Sequence, residues 1–265
     1  MMQSKKWTKW LVVGLAAVLA LGATGCGSGS KDTSPIKQSE IKALYSSPDD
    51  FKGRSFTFTA AVFGDVEKKD DQLVFQAWHD IEKSSKNTVI VAEDTDLDLK
   101  EGDYIRVKGK IDGKYTGENA FGGDVKAVQV TASTVKKISA ASAIPATKTV
   151  DVNKTVSQGG IDLTLKKVDW TNSEMRVYLS VKNNNSTEVS VYADSDGKII
   201  QNNTQHDPAM SSIDYPQLSS DLAAGASSEG IITFKNVNKA NFTYQCSGYN
   251  TNFDELHFSF DVNVQ

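Results

Sequence analysis

The sequence predicts an all-β protein of two domains, a small five-stranded barrel followed by a second strand-rich domain. Three observations carry this expectation. Apolar residues recur at every second position in one short run after another, which is the period of a strand with one buried face. Clusters of Asn, Asp, Gly and Ser separate those runs as turn chemistry requires. No alternation of strand and helix is present that would build a parallel α/β sheet.

The first 25 residues are read as an export signal rather than as part of the fold. Lys5, Lys6 and Lys9 precede an apolar run from Leu11 to Ala23 that is too short to span a bilayer, and small residues follow. The end of that run, "ATGC" (Ala23, Thr24, Gly25, Cys26), resembles the lipobox of bacterial lipoproteins. It departs from the family in one respect: the usual Leu three residues before the cysteine is replaced by Ala23, with Leu21 farther upstream. The resemblance implies that Cys26 becomes the mature N-terminus and carries a diacylglyceryl group. The protein would then be held on the extracytoplasmic face of the cell membrane, since two or more acyl chains anchor durably where one does not. The alternative is an ordinary signal peptide cleaved after Ala23 or nearby.

Composition bounds the remaining chain. A hydrophobic fraction of 39% with 23% charged residues is that of ordinary globular protein, and the length suits two domains. The net charge of −4 argues against nucleic acid as a partner. With Cys26 lipidated, Cys246 has no partner and no internal disulfide is expected. Phe242, Tyr244 and Cys246 alternate onto one strand face, which predicts a buried thiol.

Residues 26–36 are Gly, Ser, Lys, Asp, Thr and Pro in the main and are expected to be a flexible tether. The first domain, 37–139, opens on a short helical stretch, "QSEIKALY". "SSPDDFKG" follows, in which Ser47 is placed to cap, Pro48 to take the first helical position and Gly53 to stop the turn. Five strands come next: "RSFTFTAAVF", "QLVFQAW", "NTVIVAE", "DYIRVKGKI" and "VKAVQVTAST". The stretch from "SPDDFKGRSFTFTAAV" through "LKEGDYIRVKGKIDG" to "VKAVQVTASTVKKI" resembles an OB-fold of the kind found in exported bacterial proteins, which implies a small closed barrel.

Residues 140–149, "AASAIPATKT", read as a linker, and 150–265 as the second domain. There Ile161, Leu163 and Leu165 share one face, as do Met175, Val177, Leu179 and Val181, and again Leu256, Phe258, Phe260 and Val262. "NNNST", "DSDGK" and "AAGASSEG" supply the turns, "DSDG" being expected to close a hairpin, and a longer polar loop is expected between Gln201 and Asp221. "VYLSVKNNNSTEVSVYADSDGKII" and "LAAGASSEGIITFKNV" resemble the telokin-like, immunoglobulin-like domain of many Gram-positive lipoproteins. That resemblance implies a β-sandwich and no agreed activity.

Chemistry is sparse. His79, His206 and His257 have no neighbours at metal-ligand spacing and are expected to be solvated. Asp94, Asp96 and Asp98 begin like a calcium loop, but Leu99 stands where Gly is required and Ile105 where a bidentate Glu is required. Ser-x-x-Lys recurs without its companion motifs. No catalytic residue, metal site or cofactor is therefore expected, and the protein is read as not an enzyme. One surface stands out: with Ile105, Val107 and Ile111 facing inward, Tyr104, Arg106, Lys108 and Lys110 face outward, with Trp78 expected nearby. Cations beside rings on an outer barrel face are a binding combination. The functional expectation is a lipid-anchored, non-enzymatic recognition or assembly module whose partners are the membrane and an envelope protein or anionic wall polymer. The alternative is a carrier or sensor lipoprotein that binds a small solute between its two domains.

Overall fold

The computed structural model describes residues 32–118, 124–250, 252 and 254–265. The segment read as an export signal and Cys26 lie outside them. The fold is all-β and divides into two compact units, Met1–Ala143 and Ile144–Gln265.

The first unit begins with α1 (Ile41–Ser46), set between tight turns at Gln38–Glu40 and Pro48–Phe51. Strands β1 (Ser55–Lys69), β2 (Gln72–Asp80), β3 (Ser85–Ala92), β4 (Tyr104–Glu118) and β5 (Asp124–Lys137) follow. They close into a barrel in the order β1-β2-β3-β5-β4, antiparallel except where β3 meets β5. The alternating residues read from the sequence fill it: Phe56, Phe58, Ala60 and Val62 of β1 pack with Ile105, Val107 and Ile111 of β4. Ile41 and Leu44 of α1 join that core.

Three local expectations are corrected here. The end of the supposed tether is tied down: the buried Arg54 guanidinium donates to the carbonyls of Ser34 (3.1 Å) and Pro35 (3.2 Å) and, through two nitrogens, to the Glu40 carboxylate (2.9 and 2.8 Å). Ile36 N–H also donates to Ser55 O at 2.8 Å, so the strand edge begins before β1. Ser47 precedes the Pro48 turn, but its side chain makes no capping bond. The stretch read as a linker contains a helical turn, α2 (Ala140–Ala143), with Ala140 and Ala143 buried.

The second unit packs two sheets. One holds β6 (Lys148–Gln158), β7 (Ile161–Trp170), β8 (Met175–Asn183) and β13 (Ser227–Phe234) in the order β13-β8-β7-β6. The other is built on β14 (Phe242–Tyr249), flanked by β15 (Glu255–Val262) and, along its other edge, by β9 (Val189–Val191) and β10 (Lys198–Gln201). The short strands β11 (Thr204–His206) and β12 (Asp221–Leu222) complete it. Leu163, Leu165, Val177, Leu179, Phe258 and Phe260 meet between the sheets. "DSDG" does not close a hairpin: β9 and β10 both pair with β14, so the segment is an interruption between two pieces of one sheet edge.

The polar loop between Gln201 and Asp221 is a packed strap, not a solvated excursion. It runs along β13, with Ala209 N–H donating to Thr233 O and Ile231 N–H to Pro216 O, and it buries Ile213, Tyr215 and Leu218. Gly230 permits this approach, because a Cβ there would lie 2.2 Å from Leu218 N. Beneath the strap lies Arg176, which alternation turns away from the core yet which is 0% exposed. Its guanidinium approaches Asp169 (3.5 Å) and donates to Tyr215 Oη (3.5 Å), which in turn donates to Glu174 (2.7 Å). Lys167 (2.9 Å) and Thr149 (2.6 Å) are further partners of Asp169. Arg176→Ala removes a fully buried side chain together with its charge, while Asp169 keeps Lys167 and Thr149, so the change is expected to destabilise the second unit by about 2–4 kcal/mol in denaturant unfolding. A loss below about 1 kcal/mol would mean that the strap does not depend on this charge.

Candidate functional site

The outward face of β4 is assembled by register. β4 pairs with β1 on one side and β5 on the other, which produces cross-strand rows Ser55–Lys110–Thr131, Thr57–Lys108–Thr134 and Thr59–Arg106–Lys136. Alternate residues on a strand are about 6.8 Å apart, so Arg106, Lys108 and Lys110 form a line of cations, Lys108 and Lys110 between hydroxyl-bearing neighbours and Arg106 between Thr59 and Lys136. All three side chains are exposed, as is Lys136. Among the described residues none of the four lies within 4.0 Å of a carboxylate.

The two rings named from the sequence share one row, Trp78–Ala61–Tyr104, across β2, β1 and β4. Trp78 is half-buried because Phe63 stacks on it, with centroids 3.8 Å apart and planes 8° from parallel. Tyr104 is half-buried as well, and the adjoining Thr59 hydroxyl donates to Ala143 O of α2 at 2.7 Å. The helical turn thus roofs the upper end of the face and leaves the cationic line open below it.

Beyond Ile111 the strand changes its facing. Ile111 pairs with Val130 and Gly113 with Gln129, so Asp112 is an extra residue, a β-bulge. Unbulged, Lys114 would continue the outward line. Instead it pairs with Val128, a core residue, and Tyr115 takes the outward side, where it packs with Val74, Val89 and Ala127. The sequence pattern stopped at Ile111 and missed this second half of β4.

His79 corrects the expectation of three solvated histidines. It continues the inward face Leu73, Phe75, Ala77 of β2 and meets the rings of Tyr45 (5.7 Å), Phe56 (5.4 Å) and Phe58 (5.3 Å). Its buried Nδ1 has no hydrogen-bond partner among the described residues. Burial, seconded by the charge of Lys86 and opposed by Asp80, lowers its pKa from 6.5 to about 4. The period-two pattern, carried one position past Trp78, would have found it. His257 is exposed and His206 half-buried. Cys246 is a buried free thiol whose pKa burial pushes up to about 12, which leaves it protonated and a poor nucleophile. Among the described residues no three His, Cys, Asp or Glu side chains are grouped to hold a metal ion.

No protein-family model matches the chain, and no curated protein is similar to it by sequence. Solved structures similar to parts of it include a functionally unknown protein from Listeria monocytogenes EGD-e (10% identity, TM-score 0.37, 46% of this chain and 88% of that one). The yjhA protein from Bacillus subtilis is another, at 12% identity and TM-score 0.36 over 43% of this chain and 98% of that one. The GAE domain of GGA2p from Saccharomyces cerevisiae shares 17% identity at TM-score 0.26, over 43% of this chain and all of that one.

The depressed His79 pKa carries a sign. The unfolded chain takes up the proton near pH 6.5 and the folded barrel only near 4, so the contribution of His79 to stability is complete above 6.5. As pH falls through that window, on the order of 2–3 kcal/mol is lost. Unfolding of the barrel at pH 7 and at pH 4.5 should differ accordingly, and His79→Phe should flatten that part of the profile. An unchanged slope in the variant would contradict the buried placement of the ring.

Proposed function

We propose that the chain is a lipid-anchored protein of the bacterial envelope, a non-enzymatic recognition module that binds an anionic polymer on the outward face of its first unit. One observation carries the reading: Arg106, Lys108 and Lys110 stand exposed in a line on β4, unpaired with carboxylates among the described residues and flanked by Ser and Thr. A polyanion with charges spaced along an extended chain matches such a line, and the Ser55, Thr57 and Thr134 hydroxyls supply donors to its oxygens. The reading takes the first unit as an OB-fold, for which the order β1-β2-β3-β5-β4 is support, and the second as a telokin-like, immunoglobulin-like sandwich. It takes Cys26 as the lipid anchor on the strength of the basic, apolar and small residues ahead of it.

Two experiments test it. Reversing Arg106, Lys108 and Lys110 together to Glu should change stability little, since exposed substitutions usually alter it by less than about 0.5 kcal/mol each. Sedimentation with isolated wall polymers should then show affinity reduced by about tenfold or more. Wild-type binding should weaken with salt, which screens exposed charges over about 10 Å at 0.1 M. A reversed variant that binds as well as wild type defeats the proposal. For the anchor, a fatty-acid analogue should label the protein through Cys26, and Cys26→Ser should release it from membranes or leave its precursor uncut. Membrane retention of a mature Cys26→Ser protein would refute the lipid attachment.

A further inference from the structure

The bulge at Asp112 has a second product. Lys114, turned to the face of Val128, lies diagonally across the β4–β5 ladder from Lys126, which pairs with Thr116. In the parallel ladder Thr88 pairs with Val128, so Lys86, two residues earlier on β3, comes to the same place. The three lysines line one open cavity of about 520 Å³ whose other walls include Tyr45, Pro48 and Asn87. Its uncharged walls are fixed in place: Tyr45 Oη shares a hydrogen bond with Thr88 Oγ1 at 2.6 Å, and Asn87 Nδ2 donates to Gln76 Oε1 at 2.8 Å.

Charge there is not balanced. Lys86 is paired with Asp80 at 2.9 Å. The nearby Asp49 pairs with Lys52 (3.0 Å) and accepts the backbone N–H of Lys114 (3.0 Å), and those two bonds hold its carboxyl below the usual carboxylate range. Lys114 and Lys126 have no carboxylate within 4.0 Å among the described residues. Like charges gathered on neighbouring strands repel, and a concave wall concentrates their field. Such an arrangement is relieved by an anion seated among the ammonium groups.

We infer that this cavity is a binding site for a phosphate ester group, with Lys114 and Lys126 as its principal cations and Lys86 as a third. The cavity is large enough for the phosphate together with a small polyol, and Tyr45 and Pro48 offer an apolar wall to the carbon side of such a group. It is separate from the β4 line, because Lys110 and Lys114 face opposite ways across the bulge. The site stands whether or not that line binds polymer.

The test is a titration of the full chain with inorganic phosphate and with glycerol phosphate, read by amide chemical shifts, with glycerol as the uncharged control. Saturable shifts are expected at 86–88, 114 and 126–128 with both phosphates and none with glycerol. Lys114→Gln/Lys126→Gln should weaken binding by about tenfold or more, while Lys114→Arg/Lys126→Arg should retain it. The Arg106→Gln/Lys108→Gln/Lys110→Gln variant should leave these shifts unchanged, which separates this site from the proposed polymer face. Repeating the titration with a poly(glycerol phosphate) tells a polymer end from a free ester: either source that saturates the site supports it. Shifts spread evenly over all exposed lysines, or unchanged affinity in the double Gln variant, would overturn the inference.

Discussion

One extra residue in β4 organises the chemistry of the first unit. Through Ile111 the strand keeps strict alternation, so its apolar residues enter the barrel and Arg106, Lys108 and Lys110 leave it. Asp112 then steps out of register, held by the Thr131 hydroxyl, which donates to its carboxylate at 2.7 Å. After that step every side chain is on the opposite face from the one a regular strand would give it. Tyr115 covers Val74 and Val89 from outside, while Lys114 turns towards α1. A single strand thereby presents cations to two surfaces, and the second of them exists only because of the bulge.

Buried arginines do the corresponding work at the margins of each unit. Arg54 gathers the chain at 34–35 and the Glu40 carboxylate, fixing where the polypeptide enters the barrel. Arg176 gathers Asp169 and Tyr215, fixing the strap against its sheet. In both places a planar, permanently charged group with several donors satisfies carbonyl, hydroxyl and carboxylate oxygens at once, which a lysine does not do. Such centres specify one arrangement of irregular chain where apolar packing alone would accept several.

What was legible in the sequence followed from period. Ile161, Leu163 and Leu165, or Phe258 and Phe260, announce their strands because each alternates with polar neighbours, and all of them are buried. The outward placement of Arg106, Lys108 and Lys110 was legible for the same reason. What escaped lay where period breaks or where tertiary contact overrides composition. Asp112 shifts the phase, so Lys114 and Tyr115 were not assigned. The strap is polar in composition yet hides Ile213, Tyr215 and Leu218, and Arg176 lies on a face that alternation alone would leave in water. His79 was misjudged for a different reason: it sits on the apolar phase, but its residue type suggested solvent.

The account rests on the phase change in β4, and interstrand nuclear Overhauser contacts measure it directly. They should place Ile111 opposite Val130 and Gly113 opposite Gln129, with Lys114 opposite Val128 and no cross-strand partner for Asp112. A continuous ladder, with Asp112 opposite Gln129 and Lys114 on the same face as Lys110, would contradict the account and merge its two cationic surfaces into one.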